Sequence, residues 1–112
     1  QDDDKILLGT GDDLEIYHDG THSHIREVGT GDLRLRSSKI QLMNENSQEY
    51  FVGTSGGSVE LYYNDAKKFE TTSGGIEVTG SVTATSFSGD GSDLTGLNVP
   101  AGFSELDAAL FN

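Results

Sequence analysis

The chain has 112 residues, a mass of 12.0 kDa and a net charge of −12, from 19 acidic and 7 basic residues. That balance argues against nucleic acid and anionic membrane surfaces, which are bound through Lys and Arg; no apolar run approaches the roughly 20 residues of a membrane span, and the absence of cysteine excludes disulfides, thiolate zinc sites and cysteine nucleophiles. Leu, Ile, Val and Phe make up about 24% of the chain, just above the level below which chains stay unfolded, so the composition predicts a thin core that partner chains would help to complete.

The acidic start, Gln1-Asp2-Asp3-Asp4-Lys5, is the opposite of a signal peptide and lacks an initiator Met, so the chain is expected to be a processed or truncated piece of a longer protein. Short apolar–polar alternation broken by glycine turns follows. Ile6-Leu7-Leu8 is a short strand candidate and Leu14-Glu15-Ile16-Tyr17 alternates; Asp19-Gly20 then turns the chain into His24-Ile25-Arg26. After Gly29-Thr30-Gly31-Asp32 come Leu33-Arg34-Leu35-Arg36, Ile40-Gln41-Leu42 and Tyr50-Phe51-Val52. Beyond the Gly53-Thr54-Ser55-Gly56-Gly57 turn lie Val59-Glu60-Leu61-Tyr62-Tyr63 and Lys68-Phe69-Glu70, and beyond Gly74-Gly75 lie Ile76-Glu77-Val78-Thr79 and Val82-Thr83-Ala84-Thr85. Each reads as a short strand with one buried face. Asp-Gly and Gly-Gly supply the positive φ angles of tight turns. Helical periodicity is missing from residues 1 to about 100.

An internal repeat links the two halves. Leu14-Glu15-Ile16-Tyr17-His18-Asp19 aligns with Val59-Glu60-Leu61-Tyr62-Tyr63-Asn64, about 45 residues on. Ile25-Arg26 then falls near Phe69-Glu70, and Gly31-Asp32-Leu33-Arg34-Leu35 near Gly74-Gly75-Ile76-Glu77-Val78. A unit this small cannot bury its apolar face alone, so units must stack or neighbouring chains must supply the opposite wall. The expected organisation is a first β-repeat unit over residues 1–53, a second over 54–80, a Ser/Thr/Gly-rich fibrous segment over 81–97, and a linker with a short helix over 98–112. The helix candidate is Ser104-Glu105-Leu106-Asp107-Ala108-Ala109-Leu110-Phe111, capped by Ser104.

Three constellations carry possible chemistry. Gly9-Thr10-Gly11-Asp12-Asp13 and Gly89-Asp90-Gly91-Ser92-Asp93 look like glycine–aspartate calcium loops, but the tandem nine-residue repeat of a β-roll and the spaced ligands of an EF-hand are both missing. They read as solvated turn aspartates. His22 and His24, at i and i+2 on a strand, share a face. In a threefold assembly, six imidazoles would meet on the axis and hold a transition metal. Against this, Ile25 aligns with Phe69 and takes the inward position, which sends His24 outward. Tyr17-His18 and Tyr62-Tyr63 are candidate aromatic platforms for sugar rings, and are also ordinary strand formers. Catalysis finds no motif: Glu15, Glu60 and Glu77 are polar-face strand residues, and no nucleophile elbow or phosphate-binding glycine loop is present. No cofactor is expected.

Residues 14–20 with Gly29-Thr30-Gly31-Asp32-Leu33 resemble a recurrent segment of tail-fibre-like virion proteins of marine bacteriophages. So do the run from Val59 to Thr72 and the run Ala84-Thr85-Ser86-Phe87-Ser88-Gly89-Asp90-Gly91-Ser92-Asp93-Leu94-Thr95-Gly96-Leu97. The resemblance covers roughly residues 6–97. It implies an all-β, homotrimeric β-prism or β-helix fibre segment, placed on the virion beside other tail proteins and serving host attachment. The reading is non-enzymatic and structural or adhesive. The alternatives are a carbohydrate-binding tip that recognises host surface glycan and a polysaccharide depolymerase fragment. Such fibres often carry a cleaved carboxy-terminal chaperone domain, of which no trace is recognisable here. His22-Ser23-His24 matches the axial H-x-H metal motif of some phage fibres and spikes.

Overall fold

Alternation and turn chemistry agree over most of the chain, and most segments where they agree form strands. The computed structural model describes residues 1–98 and holds eight strands. Strands β1 (Lys5–Leu8), β2 (Leu14–His18) and β3 (Ser23–Glu27) make one antiparallel sheet in chain order. Strands β4 (Lys39–Met43), β5 (Glu49–Thr54), β6 (Val59–Tyr63), β7 (Ala66–Thr72) and β8 (Gly75–Val78) make a second, also antiparallel and in chain order. The fold is all-β, with no helix among the described residues. No helix there is long and apolar enough to cross a membrane. The helix expected over residues 104–111 lies outside the described residues, with most of the linker before it.

The turns follow from residue chemistry. Between β6 and β7, Asn64 and Asp65 both adopt left-handed backbone, with φ of 48° and 64°. That is the type I′ pattern whose twist matches a two-residue hairpin. Between β2 and β3, Gly20 takes φ of 93° and the Asp19 amide donates to the His22 carbonyl at 3.0 Å. Between β4 and β5, Asn44 Oδ1 accepts from the amides of Asn46 and Gln48, each at 2.9 Å. The side chain substitutes for backbone partners that the loop lacks.

Two expected strands are not formed. Residues 32–37 and 81–88 hold no strand. A strand is completed by a neighbour rather than by its own alternation. The backbone groups of residues 30–37 find no backbone partner among the described residues. Val82-Thr83-Ala84-Thr85 offers a single large apolar side chain to hold a partner. The 53/54 boundary between repeat units falls inside β5, so the second sheet runs across it. A compact unit spans Gln1–Gly80 and a second begins at Ser81.

Register sorts the side chains by face, because directly opposed residues of an antiparallel pair lie on the same side. In the first sheet Ile6, Ile16 and Ile25 form one row, with Leu8 and Leu14 beside it. The opposite face carries Lys5, Tyr17 and His24 in one row and Leu7, Glu15 and Arg26 in the next. In the second sheet an apolar row crosses all five strands: Leu42, Phe51, Leu61, Phe69 and Val78. Its opposite face carries Gln41, Val52, Glu60, Glu70 and Glu77. No strand of one sheet touches a strand of the other. Most residues of both apolar rows stay exposed, among them Ile6, Ile25, Leu42 and Leu61.

Candidate functional site

Burial does not follow polarity in either sheet. Among the described residues the only buried apolar side chain is Val52, at 5% exposure, and it lies on the polar face of its sheet. Most of the apolar rows stands open, with Leu61 43% exposed, Leu42 52% and Ile25 60%, while Phe51 and Phe69 are half-buried. Glu15, Tyr17, His24, Glu60, Tyr62 and Glu70, on the polar faces, are each half-buried. Water sees hydrocarbon on one side of each sheet while the polar side chains close over their own side. The candidate functional surface is the pair of open apolar rows, and the polar faces define its reverse.

The polar face of the first sheet is a chain of contacts across three strands. Glu15 Oε2 lies 3.1 Å from Lys5 Nζ and 3.7 Å from Arg26 Nη1. Lys5 Nζ sits 4.6 Å from the centroid of the Tyr17 ring, a cation–π contact. Tyr17 stacks on His24 with ring centroids 4.6 Å apart and planes at 17°. His24 Nε2 donates to Asp19 Oδ2 at 2.7 Å, while Asp19 Oδ1 accepts from the amides of His22 at 2.7 Å and Thr21 at 2.9 Å. These bonds favour the ionised form. Chiefly the His22 amide, then the His24 ring and the Thr21 amide, hold the Asp19 carboxyl well below the usual carboxylate range.

The second sheet repeats the device with different residues. Tyr62 donates its hydroxyl to Glu60 Oε2 at 2.5 Å and Ser58 donates to Glu60 Oε1 at 3.1 Å. The Tyr62 bond is the main cause of a lowered Glu60 pKa and a raised Tyr62 pKa. Lys67 Nζ lies 2.7 Å from Glu70 and 3.7 Å from Glu60, and the Glu70 bond raises the Lys67 pKa. Gln41 donates its side-chain amide to Glu49. Val52 lies in the row between Gln41 and Glu60.

Acid should loosen the first hairpin. A carboxyl held below its ordinary value contributes stability that is fully present above the unfolded aspartate pKa of about 3.9 and is lost as pH falls below it. The thermal midpoint of the native chain is expected to drop between pH 5 and pH 2. Asp19→Asn, which has no such charge to lose, should show a flatter profile in scanning calorimetry. Equal slopes for the two proteins would remove Asp19 from the account.

The aromatic candidates do not form one platform. Tyr17 and His18 are sequence neighbours on a strand and so point to opposite faces. Tyr17 is held between Lys5 and His24, whereas His18 Nδ1 lies 3.1 Å from Ser23 Oγ on the isoleucine side. Tyr62 and Tyr63 divide in the same way. Tyr62 turns to Glu60, and Tyr63, 75% exposed, stands on the side of the open row. His22 precedes β3 in the turn, with its ring centroid 6.3 Å from that of His24. His24 lies on the face opposite Ile25. Among the described residues no three His, Asp or Glu side chains are grouped to hold a metal.

Sequence reasoning missed the full repeat. Its first strand is β1 or β5, because Ile6 and Phe51 are spaced as Ile16 and Leu61 are, and each pair occupies equivalent positions of its row. The signal was present in that spacing. The ion pairs of Lys5 and Arg26 with Glu15 depend on strand register and have no sequence signature. Comparison of the chain with protein-family models, curated proteins and solved structures finds no match.

Proposed function

We propose that this chain is a structural and adhesive segment of a homotrimeric phage tail fibre or spike, non-enzymatic, in which three copies close a shared interior with their apolar rows. The observation that carries the reading is the uncovered apolar side: Leu42, Leu61 and Val78 of one row and all three isoleucines of the other are exposed, while the polar faces are tied by their own ion pairs and hydrogen bonds. Burying apolar area is the dominant favourable term in folding and association, and a self-complementary assembly covers both rows at once. Three copies gather −36 charges (three times −12). Their place is the outward faces, where they repel lateral association and keep strand edges apart. A β-prism or β-helix of three chains, seated on the virion among other tail proteins and presenting a surface to host glycan, is the architecture this reading takes. A glycan-binding tip draws less support, because Tyr17 is covered on both ring faces and Tyr62 is engaged by Glu60.

The test is oligomeric state. Sedimentation equilibrium at micromolar concentration is expected to report about 36 kDa, three times 12.0 kDa. A well-folded species of 12.0 kDa overturns the reading.

A further inference from the structure

The two repeat units end differently. In the second, the apolar row passes from Phe69 on β7 to Val78 on β8, with Glu70 opposite Glu77 and Thr71 opposite Ile76. In the first, the row stops at Ile25 on β3, and among the described residues no strand lies along the outer edge of β3. The chain nevertheless carries the counterpart of β8. Leu33-Arg34-Leu35 matches Ile76-Glu77-Val78 in the repeat alignment, with the same apolar–charged–apolar alternation. Its backbone finds no backbone partner among the described residues, and Leu35 is exposed. The molecule thus presents an unfilled edge and an unused strand that fit the same repeat position.

The connection does not fold the segment back as β8 is folded back. β7 and β8 are joined by a tight hairpin closed by Thr72 opposite Gly75. After β3, the Val28 amide stays on the β2 side, donating to the Asp13 carbonyl at 2.7 Å, and the Gly29 amide donates to Glu27 Oε1 at 2.6 Å. Five residues, 28–32, then separate Glu27 from Leu33. Exchange of an identical element between copies is a low-cost route to assembly when the connecting segment does not close on its own chain.

We propose that residues 33–35 of one copy add as an antiparallel strand to the outer edge of β3 of a second copy, in the register β8 takes on β7. Leu35 then stands beside Ile25, extending the isoleucine row, and Arg34 stands opposite Arg26. Like charges face each other at the equivalent place in the second sheet, where Glu70 opposes Glu77 and is neutralised by Lys67 at 2.7 Å. Here Glu15, 3.7 Å from Arg26, takes the neutralising role. Main-chain bonds supply the affinity of such strand addition and alternate side chains its register. The proposal rests on the assembled state proposed above and specifies which segment crosses between chains.

The test uses the full chain, whose lack of cysteine leaves no background. Arg26→Cys and Arg34→Cys are made singly, refolded together and oxidised. Opposed residues of an antiparallel pair fall within disulfide reach. The expected product is a mixed disulfide dimer of about 24 kDa, twice 12.0 kDa, at several-fold the yield of Arg26→Cys refolded with Glu45→Cys. Yields equal to that control, with an intact trimer in sedimentation, overturn the strand exchange and leave the trimer standing. A monomer in sedimentation overturns both. A double variant, Arg26→Cys with Arg34→Cys, that forms only an intramolecular bond also overturns the exchange, because the segment then pairs with its own β3.

Discussion

Leu61→Asp is expected to dissociate the trimer we propose: the sedimenting mass falls from about 36 kDa to 12.0 kDa, whereas Glu77→Ala on the opposite face leaves it unchanged. Leu61 is central in the five-residue row, flanked across the strands by Phe51 and Phe69. In a lone chain the position is 43% exposed. An aspartate there would stay hydrated and cost little beyond its poor strand propensity, under about 1 kcal/mol. In a closed interior the same carboxylate loses its water and gains no partner, a penalty of several kcal/mol per ion that threefold symmetry repeats three times. Leu61→Thr, which keeps strand propensity and adds no charge, should weaken the trimer without abolishing it. A Leu61→Asp protein that sediments and melts like its parent would show that this row faces water.

Val52→Ala is expected to cost about 2 kcal/mol per chain in denaturant unfolding, since removing two buried carbon groups forfeits roughly 0.8 kcal/mol each plus a cavity contribution. Among the described residues Val52 is the one apolar side chain that the chain buries by itself. The informative comparison is Leu42→Ala, because Leu42 is 52% exposed at the end of the open row. If the row stayed in water, truncating Leu42 would change stability by well under 1 kcal/mol, and the two variants would differ several-fold. If three chains cover the row, Leu42→Ala should equal or exceed Val52→Ala, and its cost should depend on protein concentration as assembly-linked stability does. The two variants together report which side of the second sheet is interior, independently of any mass measurement.

Much of this architecture is legible from local pattern. Leu14-Glu15-Ile16-Tyr17 falls within β2, which runs one residue further, and Val59-Glu60-Leu61-Tyr62-Tyr63 forms β6 over those same residues. Two-residue periodicity assigns a side chain to a face without reference to the rest of the chain. The same logic sent His24 to the face opposite Ile25, where the structure places it, but the expected inward Ile25 is 60% exposed and the expected outward His24 is half-buried, because no second layer covers the isoleucine side. Leu33-Arg34-Leu35-Arg36 and Val82-Thr83-Ala84-Thr85 mark the limit of that logic. Their alternation satisfies the pattern, but a strand also needs a second backbone to receive its hydrogen bonds, and no local rule states whether one will be present. The contacts of Tyr17 with Lys5 and His24 escaped for a related reason: they join three strands, and only the register of two hairpins brings them within reach.

The amino-acid order by itself determined the strand class, the two faces of most strands, the glycine turns at 19–20, 53–57 and 74–75 and the acidic character of the surface, because each depends on neighbours a few residues away. Only the tertiary structure decided that both apolar faces remain uncovered, and that Val52 is instead shielded on the face of glutamates and tyrosine. Cover is a meeting of distant segments, and among the described residues no second layer comes to meet either sheet.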